Sequence, residues 1–163
     1  MKLRIGIGYD VHKLEQGLPL YIGGIEIESK LGALGHSDGD VLIHAIIDSL
    51  LGASNLRDIG FNYPDNKEEY KGIDSKILLR DAVSKVKEKG YKIENIDTII
   101  CLQSPKISKY IPKMQETLAK ILEIETEDIT IKATTTERLG FVGREEGVAS
   151  HSVCLIGKNK TKT

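Results

Sequence analysis

The stretch from His36 to Asp58 constrains the fold most, because a polar turn broken by glycine leads directly into an apolar helical pattern. The pattern predicts a helix from about Asp40 to Ala53, capped at its start by Ser37 or Asp38. Most of this helix is apolar, so it must pack against other elements. His44 lies within the apolar surface, which leaves two interpretations: a buried histidine with a polar partner, or a ligand of a bound group.

The other hydrophobic patterns divide the chain into strands and helices. Periods of two residues predict strands near residues 3–12, 20–28, 91–103, 128–136 and 147–157. Helical periods predict two further helices near residues 74–89 and 112–122, and residues 31–40 are predicted to form a glycine-rich loop. This order favours an α+β fold, a two-layer sandwich in which a mainly antiparallel or mixed sheet carries helices on one face. The opposite face then requires cover, and self-association is its simplest source.

The first predicted strand has two different faces. Gly6 and Gly8 remove side chains from one face, so another element can approach the backbone there. Asp10 and His12 continue the same alternation and therefore lie on that face. Residues two apart in a strand lie about 6.6 Å apart along it, which suits two ligands of one metal ion when both side chains lean inward.

Asp10, His12 and His44 together form a nitrogen and oxygen ligand set suited to zinc or a similar divalent ion. Three protein ligands leave the fourth tetrahedral position open, as in catalytic zinc sites. The alternative is a strand carboxylate that hydrogen-bonds a histidine without any metal. Asp48, one helical turn after His44, is predicted to accept an imidazole N–H and so orient the ring.

A second polar segment and a loop without periodicity are candidates for the rest of a site. The hydroxyls of Thr134–Glu137 can hold phosphate oxygens, and the glutamate suits a hard cation such as Mg²⁺; the alternative is ordinary strand threonines and a solvated glutamate. Residues 55–71 are predicted to form a substrate lid or wall, or else an ordinary surface loop. Lys106 and Arg144 either contact an anion or are solvated surface cations. His151 has no partner evident from its spacing and is predicted to be structural.

Composition and charge exclude several classes of protein. The 163 residues are predicted to form a single catalytic domain, with residues 158–163 as a flexible tail. A net charge of -1 and a pI near 6.4 provide no general field for nucleic acid or an acidic membrane surface. No apolar run approaches the roughly 18 residues of a membrane span, and the N-terminus lacks a signal-peptide core, which predicts a cytoplasmic protein. Cys101 and Cys154 are predicted to be buried thiols.

The chain resembles the 2-C-methyl-D-erythritol 2,4-cyclodiphosphate synthase family in five separated strings. They are GYDVH (8–12), HSDGDVLIHAIIDSLLGA (36–53), DIG…YPD (58–65), PK (105–106) and KATTTERLGFVGREEG (132–147). The resemblance runs in register from about Leu3 to Gly157, which is nearly the whole chain. Because the strings are long and widely separated, chance agreement does not explain them.

The resemblance implies an assembly and an activity. It implies a homotrimer of α/β subunits assembled around their sheets, with active sites between subunits. Family members convert 4-diphosphocytidyl-2-C-methyl-D-erythritol 2-phosphate, a small-molecule cytidine diphosphate substrate, to 2-C-methyl-D-erythritol 2,4-cyclodiphosphate and CMP in non-mevalonate isoprenoid precursor biosynthesis. The nucleophile is the substrate's own 2-phosphate, so no serine or cysteine nucleophile is required. Such a trimer could also enclose a channel on its threefold axis that binds an isoprenyl diphosphate.

The resemblance also implies roles for individual residues. Asp10, His12 and His44 match ligands of zinc, which Mn²⁺ or Co²⁺ can replace, and Glu137 matches a ligand of a second ion, Mg²⁺ or Mn²⁺. His36 and Thr135 match catalytic groups that orient and stabilise the reacting phosphates. The remaining matches are substrate contacts: Ser37, Asp58, Ile59, Gly60, Tyr63, Asp65, Leu102, Pro105, Lys106, Ile107, Ser108, Ala133, Thr134, Phe141 and Arg144. Without the resemblance, a metal-dependent phosphohydrolase and a non-catalytic trimeric diphosphate-binding protein remain as alternatives.

Overall fold

The structure is a computed structural model that describes residues 1–158. In this part of the chain the strands are β1 (Lys2–Gln16), β2 (Leu20–Ile22), β3 (Ile25–Ile27), β4 (Leu31–Leu34), β5 (Lys92–Cys101), β6 (Ile129–Thr134) and β7 (Gly147–Lys158). The α-helices are α1 (Val41–Ala53), α2 (Ile59–Asn62), α3 (Ser75–Glu88), α4 (Ile111–Leu122) and α5 (Gly140–Gly143). Short 3₁₀ turns lie at Glu68–Tyr70, Ser108–Tyr110 and Thr126–Asp128.

The main sheet has five strands in the order β4-β1-β7-β5-β6, and β2 and β3 form a separate hairpin. All neighbours in the main sheet are antiparallel except β5 and β6, which are parallel. Helix α1 packs on β1 and β7, α4 packs on β6, and α3 packs against α1 and α4. The prediction of a mixed sheet with helices is therefore confirmed.

Two of the predicted helices show why their sequences end where they do. The carboxylate of Asp74 accepts the N–H of Lys76 and caps α3, and Gly90 follows its last turn with a φ of 77°, which glycine adopts without strain. Pro112 lies in the first turn of α4, where its missing N–H costs nothing. The predicted bounds of both helices are confirmed to within a few residues.

Helix α1 approaches β1 closely because two glycines lie between them. Gly6 and Gly8 are buried, and a Cβ added to either would lie 1.9 Å from a backbone carbonyl oxygen of α1, that of Ser49 or Ala45 respectively. The prediction that another element contacts this glycine face is confirmed. Asp10 lies further along the same face, so the close approach carries α1 directly to it.

The opposite face of the sheet is apolar and exposed in a single chain. Its large side chains keep between 43% and 73% of their surface accessible; they are Leu3, Ile5, Ile7, Tyr9, Val11 and Val153. Strand β1 therefore directs its glycines toward the helices and its aliphatic residues away from them. An apolar strip of this kind is typical of a surface that another protein chain covers.

Two predictions about local structure were wrong. The cap of α1 is neither Ser37 nor Asp38 but Asp40, whose carboxylate accepts the N–H of Ile43 at 3.0 Å. Asp40 is fully buried, and its carboxylate also accepts two N–H groups from the β2–β3 turn. Three hydrogen bonds satisfy the buried carboxylate, which a residue at the surface would not require. The predicted loop at 31–40 begins with strand β4, which pairs with the end of β1.

The remaining local predictions have mixed outcomes. Cys154 is buried as predicted, whereas Cys101 at the end of β5 is only partly buried. Lys158 belongs to β7, so the predicted tail at 158–163 begins later than expected, and residues 159–163 lie outside the described residues. Among the helices of residues 1–158, none has the length and apolar character needed to cross a membrane.

Candidate active site

Three potential metal ligands meet where the end of β1 faces α1. The Oδ2 atom of Asp10 lies 2.9 Å from Nε2 of His12 and 3.0 Å from Nδ1 of His44, and the two ring nitrogens are 3.1 Å apart. Two of these side chains come from alternate positions of β1, and the third comes from the helix that the glycine face admits. The three residues, here called the ligand corner, could hold a metal ion.

The hydrogen bonds behind the ligand corner suit a cation inside it. Nδ1 of His12 lies 3.0 Å from the carbonyl oxygen of Leu34 and must donate to it, which leaves Nε2 with a lone pair directed inward. In a tetrahedral site with bonds of about 2.0–2.1 Å, neighbouring ligand atoms are roughly 3.3 Å apart. The observed separations of 2.9–3.1 Å differ from that value by a few tenths of an ångström. The corner therefore fits a divalent ion that prefers nitrogen and oxygen ligands.

Charges in the metal-free corner complement one another. Burial raises the pKa of Asp10, but hydrogen bonds and charge interactions with His12 and His44 outweigh it and lower that pKa to about 2. Burial lowers the pKa of His12, but its contacts with Asp10 outweigh this and raise the pKa above its ordinary value. A metal ion must compete with the proton that His12 would otherwise bind, so metal affinity should rise with pH.

Asp48 does not contact the imidazole of His44 as predicted. Its carboxylate instead accepts the N–H of Ile59 at 3.1 Å, which fastens α2 to α1. The other ring nitrogen of His44 faces Ser75, at 2.8 Å. Sequence reasoning missed Ser75, since a serine directly after Asp74 also fits the first turn of any helix. One signal in the sequence could have identified it: Ser75 is a polar residue on the face of α3 that is otherwise apolar and buried.

A cavity of about 360 Å³ adjoins the ligand corner. The predicted residues that line it with the three ligands are His36, Ser37, Ile59, Gly60, Tyr63 and Asp65. Asp58 caps α2 instead, since its carboxylate accepts the N–H of Phe61 at 2.9 Å. Tyr70, within the predicted wall, and Leu78, which sequence reasoning missed, complete the lining. The loop at 55–71 therefore forms one side of this cavity.

The ring of Tyr63 is held rigidly in the cavity wall. Its hydroxyl donates to Oδ2 of Asp81 at 2.6 Å, and the ammonium of Lys85 lies 4.4 Å from the ring centroid. Tyr70 packs edge-on at 5.8 Å between centroids. Burial and the neighbouring Asp81 both raise the pKa of Tyr63 well above its ordinary value, so the hydroxyl keeps its proton. The wall is thus an apolar ring fixed by a polar network on α3.

A second, smaller cavity of about 180 Å³ lies at the carboxyl ends of the parallel strands β5 and β6. The predicted residues that line it are Leu102, Pro105, Lys106, Ile107, Ser108, Ala133, Thr134 and Thr135. Glu137 lies just beyond and is exposed; Thr135 Oγ1 donates to its carboxylate at 3.4 Å. The N–H of Arg138 donates to the side chain of Gln103 at 3.3 Å, which fastens this loop to the rim of the cavity.

The two cavities are separated within one chain. Asp10, Ser150, Ile100 and Ala133 form one row across four strands, so the row spans about 14 Å at roughly 4.8 Å per strand. The two middle residues of the row have no accessible surface. The protein core therefore fills the direct path between the ligand corner and the second cavity.

Phe141, Arg144 and His151 also lie outside both cavities. Arg144 pairs with Glu146 at 2.9 Å, and Phe141 is 38% exposed in α5. His151 is exposed on the apolar face of the sheet, with its ring centroid 4.8 Å from that of Tyr9. His151 therefore lies on the surface that a single chain leaves uncovered.

Fold and site together define an α+β protein with a corner of two histidines and one carboxylate beside a cavity. The chain belongs to the YgbB family, whose sequence profile matches residues 3–157. It is 55% identical over 158 residues to the 2-C-methyl-D-erythritol 2,4-cyclodiphosphate synthase of Bacteroides fragilis, an alignment that covers 97% of this chain and 99% of that protein. The resemblance found in the sequence is therefore confirmed.

Two solved structures are similar over nearly all of this chain. The bifunctional IspDF from Campylobacter jejuni has a TM-score of 0.93 and 41% identity over 98% of this chain, which spans only 43% of that protein. An IspF from Plasmodium falciparum in complex with CDP has a TM-score of 0.84 and 35% identity, and covers 96% of this chain and 97% of its own. The similarity extends over both cavities and the strands between them.

Proposed function

We propose that this protein is a cytoplasmic enzyme that converts 4-diphosphocytidyl-2-C-methyl-D-erythritol 2-phosphate to 2-C-methyl-D-erythritol 2,4-cyclodiphosphate with release of CMP. This is a phosphorus–oxygen lyase step in non-mevalonate isoprenoid precursor biosynthesis. One observation carries the proposal: a chain with the family sequence places a ligand corner, His36 and Ser37 around one cavity. A relative that holds CDP adds support for a cytidine nucleotide as ligand.

Two metal ions are part of the proposal. Oδ2 of Asp10, Nε2 of His12 and Nδ1 of His44 would hold zinc, or Mn²⁺ or Co²⁺ in its place. Glu137 would hold Mg²⁺ or Mn²⁺. When bound, such ions offset repulsion between the phosphates and stabilise the charge that develops on the bridging oxygens.

The protein itself positions the reacting groups. An oxygen of the substrate's 2-phosphate forms a bond to the β-phosphorus, the bond from that phosphorus to the bridging oxygen breaks, and its electron pair leaves with CMP. Holding the two ends together supplies roughly 7–11 kcal/mol of barrier reduction. Ser37 and Thr135 offer hydroxyl donors to phosphate oxygens, and His36 lies at the edge of the first cavity. Tyr63 forms the fixed apolar wall for the methylerythritol chain.

The proposed assembly is a homotrimer with active sites between subunits. Two observations support it: the apolar face of the sheet is exposed, and the two cavities of one chain are separated by core. A neighbouring subunit would bring its second cavity, with Glu137, to the ligand corner of the first. A threefold channel lined by the apolar face could bind an isoprenyl diphosphate near Arg144, which a titration of the trimer with such a compound would test.

A metal-dependent phosphohydrolase is the second candidate, because three ligands leave a coordination position where water could bind. Phosphorus NMR of the protein with the cytidine substrate, Mg²⁺ and Zn²⁺ separates the two. We expect CMP together with two coupled cyclic-diphosphate signals, lost with a chelator and restored by added metal. CMP with only linear phosphates would establish the hydrolase instead.

A third outcome would assign a role in binding alone. No turnover with the substrate still bound would indicate a diphosphate-binding protein. The variant His44→Ala separates these cases further, because a catalytic metal predicts loss of rate with the trimer retained. A structural metal predicts loss of the trimer, which analytical ultracentrifugation would measure.

A further inference from the structure

A chain of buried hydrogen bonds lies behind His44, on the side away from the ligand corner. Nε2 of His44 lies 2.8 Å from Oγ of Ser75, and the Ser75 hydroxyl donates to Oδ1 of Asp38. Ser75 has no accessible surface and His44 keeps 8%, so solvent cannot replace these partners. The second carboxylate oxygen of Asp38 accepts the backbone N–H of Ser75 at 2.9 Å, which fixes the serine in place.

The number of hydrogen atoms available determines which group donates in each of these hydrogen bonds. A serine hydroxyl carries one hydrogen, and a carboxylate only accepts, so the Ser75 hydrogen points to Asp38. Ser75 therefore presents a lone pair to His44, and a hydrogen on Nε2 satisfies this contact at 2.8 Å. Ser37 Oγ, 3.1 Å from the same nitrogen, is a second acceptor. A neutral imidazole carries one hydrogen, for which Asp10 Oδ2, 3.0 Å from Nδ1, competes with the acceptors of Nε2. The shorter contact with Ser75 and the second contact with Ser37 favour hydrogen on Nε2, which leaves Nδ1 bare for a cation.

We infer that Asp38 and Ser75 are positioning residues that select the tautomer of His44 and thereby the nitrogen that it offers to a metal ion. The inference rests on the proposed function to the extent that the ligand corner binds a divalent ion. With hydrogen on Nδ1 instead, His44 would donate to Asp10, and this hydrogen bond would close the corner to a metal. Outer hydrogen-bond partners of metal ligands typically contribute a factor of about 10–100 in metal affinity.

Asp38→Asn is the sharpest test, because an amide exchanges donor and acceptor in the hydrogen bonds from Asp38 through Ser75 to His44. Both carboxylate oxygens of Asp38 accept a backbone N–H, Oδ2 that of Ser75 at 2.9 Å and Oδ1 that of Asp40 at 3.2 Å. The shorter bond favours the amide oxygen at the present Oδ2 position. The amide nitrogen would then donate to Ser75 Oγ, and the Ser75 hydroxyl would donate to His44 instead of accepting from it. The predicted tautomer therefore changes to hydrogen on Nδ1. Asp74→Asn is the matched control, because asparagine caps α3 as well as aspartate does and Asp74 has its own partner in Lys76.

Ser75→Ala tests the acceptor itself. It removes the closer of the two acceptors for Nε2 and leaves only Ser37. The matched control is Ser54→Ala: Ser54 is also buried, and its hydroxyl has no hydrogen-bond partner among the residues that the structure describes. Within each pair the two variants exchange the same atoms, and only one member of each pair belongs to the hydrogen bonds behind His44.

Two measurements read the outcome. Long-range proton–nitrogen NMR of the metal-free protein at about pH 9, where imidazoles are neutral, reports which nitrogen of His44 carries the hydrogen. Competition with a chromogenic chelator measures the dissociation constant for Zn²⁺. We expect hydrogen on Nε2 in the unmodified protein and both controls, and on Nδ1 in Asp38→Asn. We expect zinc binding to weaken about 10–100-fold in Asp38→Asn and Ser75→Ala.

Several results would overturn the inference. Hydrogen on Nδ1 in the unmodified protein would refute it without any variant. An unchanged tautomer in Asp38→Asn, or zinc binding within about twofold of the unmodified protein in both test variants, would refute it as well. Failure of the proposed function would look different, because the protein would release no CMP while NMR still reported hydrogen on Nε2.

Discussion

Replacement of Gly8 by alanine should separate α1 from β1 and disable the ligand corner. A Cβ at this position would lie 1.9 Å from the carbonyl oxygen of Ala45, whereas ordinary contact begins at 3.4 Å. About 1.5 Å of separation must therefore be created between two backbones, and neither can rotate away as a side chain would. Overpacking typically costs about 1–3 kcal/mol, and we expect the upper end here.

The same displacement acts on metal binding, because His44 directly precedes Ala45. Ligand distances tolerate only about ±0.2 Å, so a shift of more than 1 Å would remove the histidine from the corner. Loss of a ligand costs more than loss of its outer partner, so zinc affinity should fall by at least about 100-fold. Urea unfolding of the metal-free protein and chelator competition measure the two effects separately.

Gly52→Ala is the control for this experiment. Gly52 lies on α1 as well, but a Cβ there would meet no atom within 4 Å. Alanine is better than glycine in a helix by about 0.5–1 kcal/mol, so this variant should be slightly more stable and bind zinc normally. If Gly8→Ala matched the unmodified protein in both assays, the close packing of α1 on β1 would not position His44 as argued.

Three other predictions follow from single side chains. Ile7→Asp, at a position 72% exposed on the apolar face, should convert the proposed trimer to monomers in analytical ultracentrifugation with unchanged circular dichroism; a persistent trimer would refute the interface. Asp40→Ala leaves three N–H groups without an acceptor and should lower the free energy of unfolding in urea by about 3 kcal/mol, and a loss below about 1 kcal/mol would contradict it. The pKa of Asp10 in the metal-free protein, about 2 instead of 3.8, contributes stability present above pH 3.8 and lost as pH falls through 2. The unfolding free energy relative to Asp10→Asn should therefore drop by about 2 kcal/mol between about pH 5 and about pH 2, and a constant difference would disprove the assignment.

Local patterns predicted the elements and part of the site. Period-two alternation placed Asp10 and His12 on one face of β1, and helical periodicity placed His44 on the buried surface of α1, where the structure has them. The prediction for Asp48 was wrong, because the direction of an imidazole depends on what packs around it. The N-terminal residue of α3, Ser75, took the place expected for Asp48.

The sequence by itself therefore determined the three long helices, most of the strands, the composition of the ligand corner and, through its resemblance, the family. Only the tertiary structure decided that α1 is the element packed on the glycine face of β1 and that the aliphatic face stays exposed in a single chain, since alternation reports two faces without saying what covers each. It also decided that Ser75 contacts His44 and Asp38 contacts Ser75, and that buried core residues separate the two cavities. These contacts join residues tens of positions apart, and such neighbours are set by packing between elements, which no local period encodes.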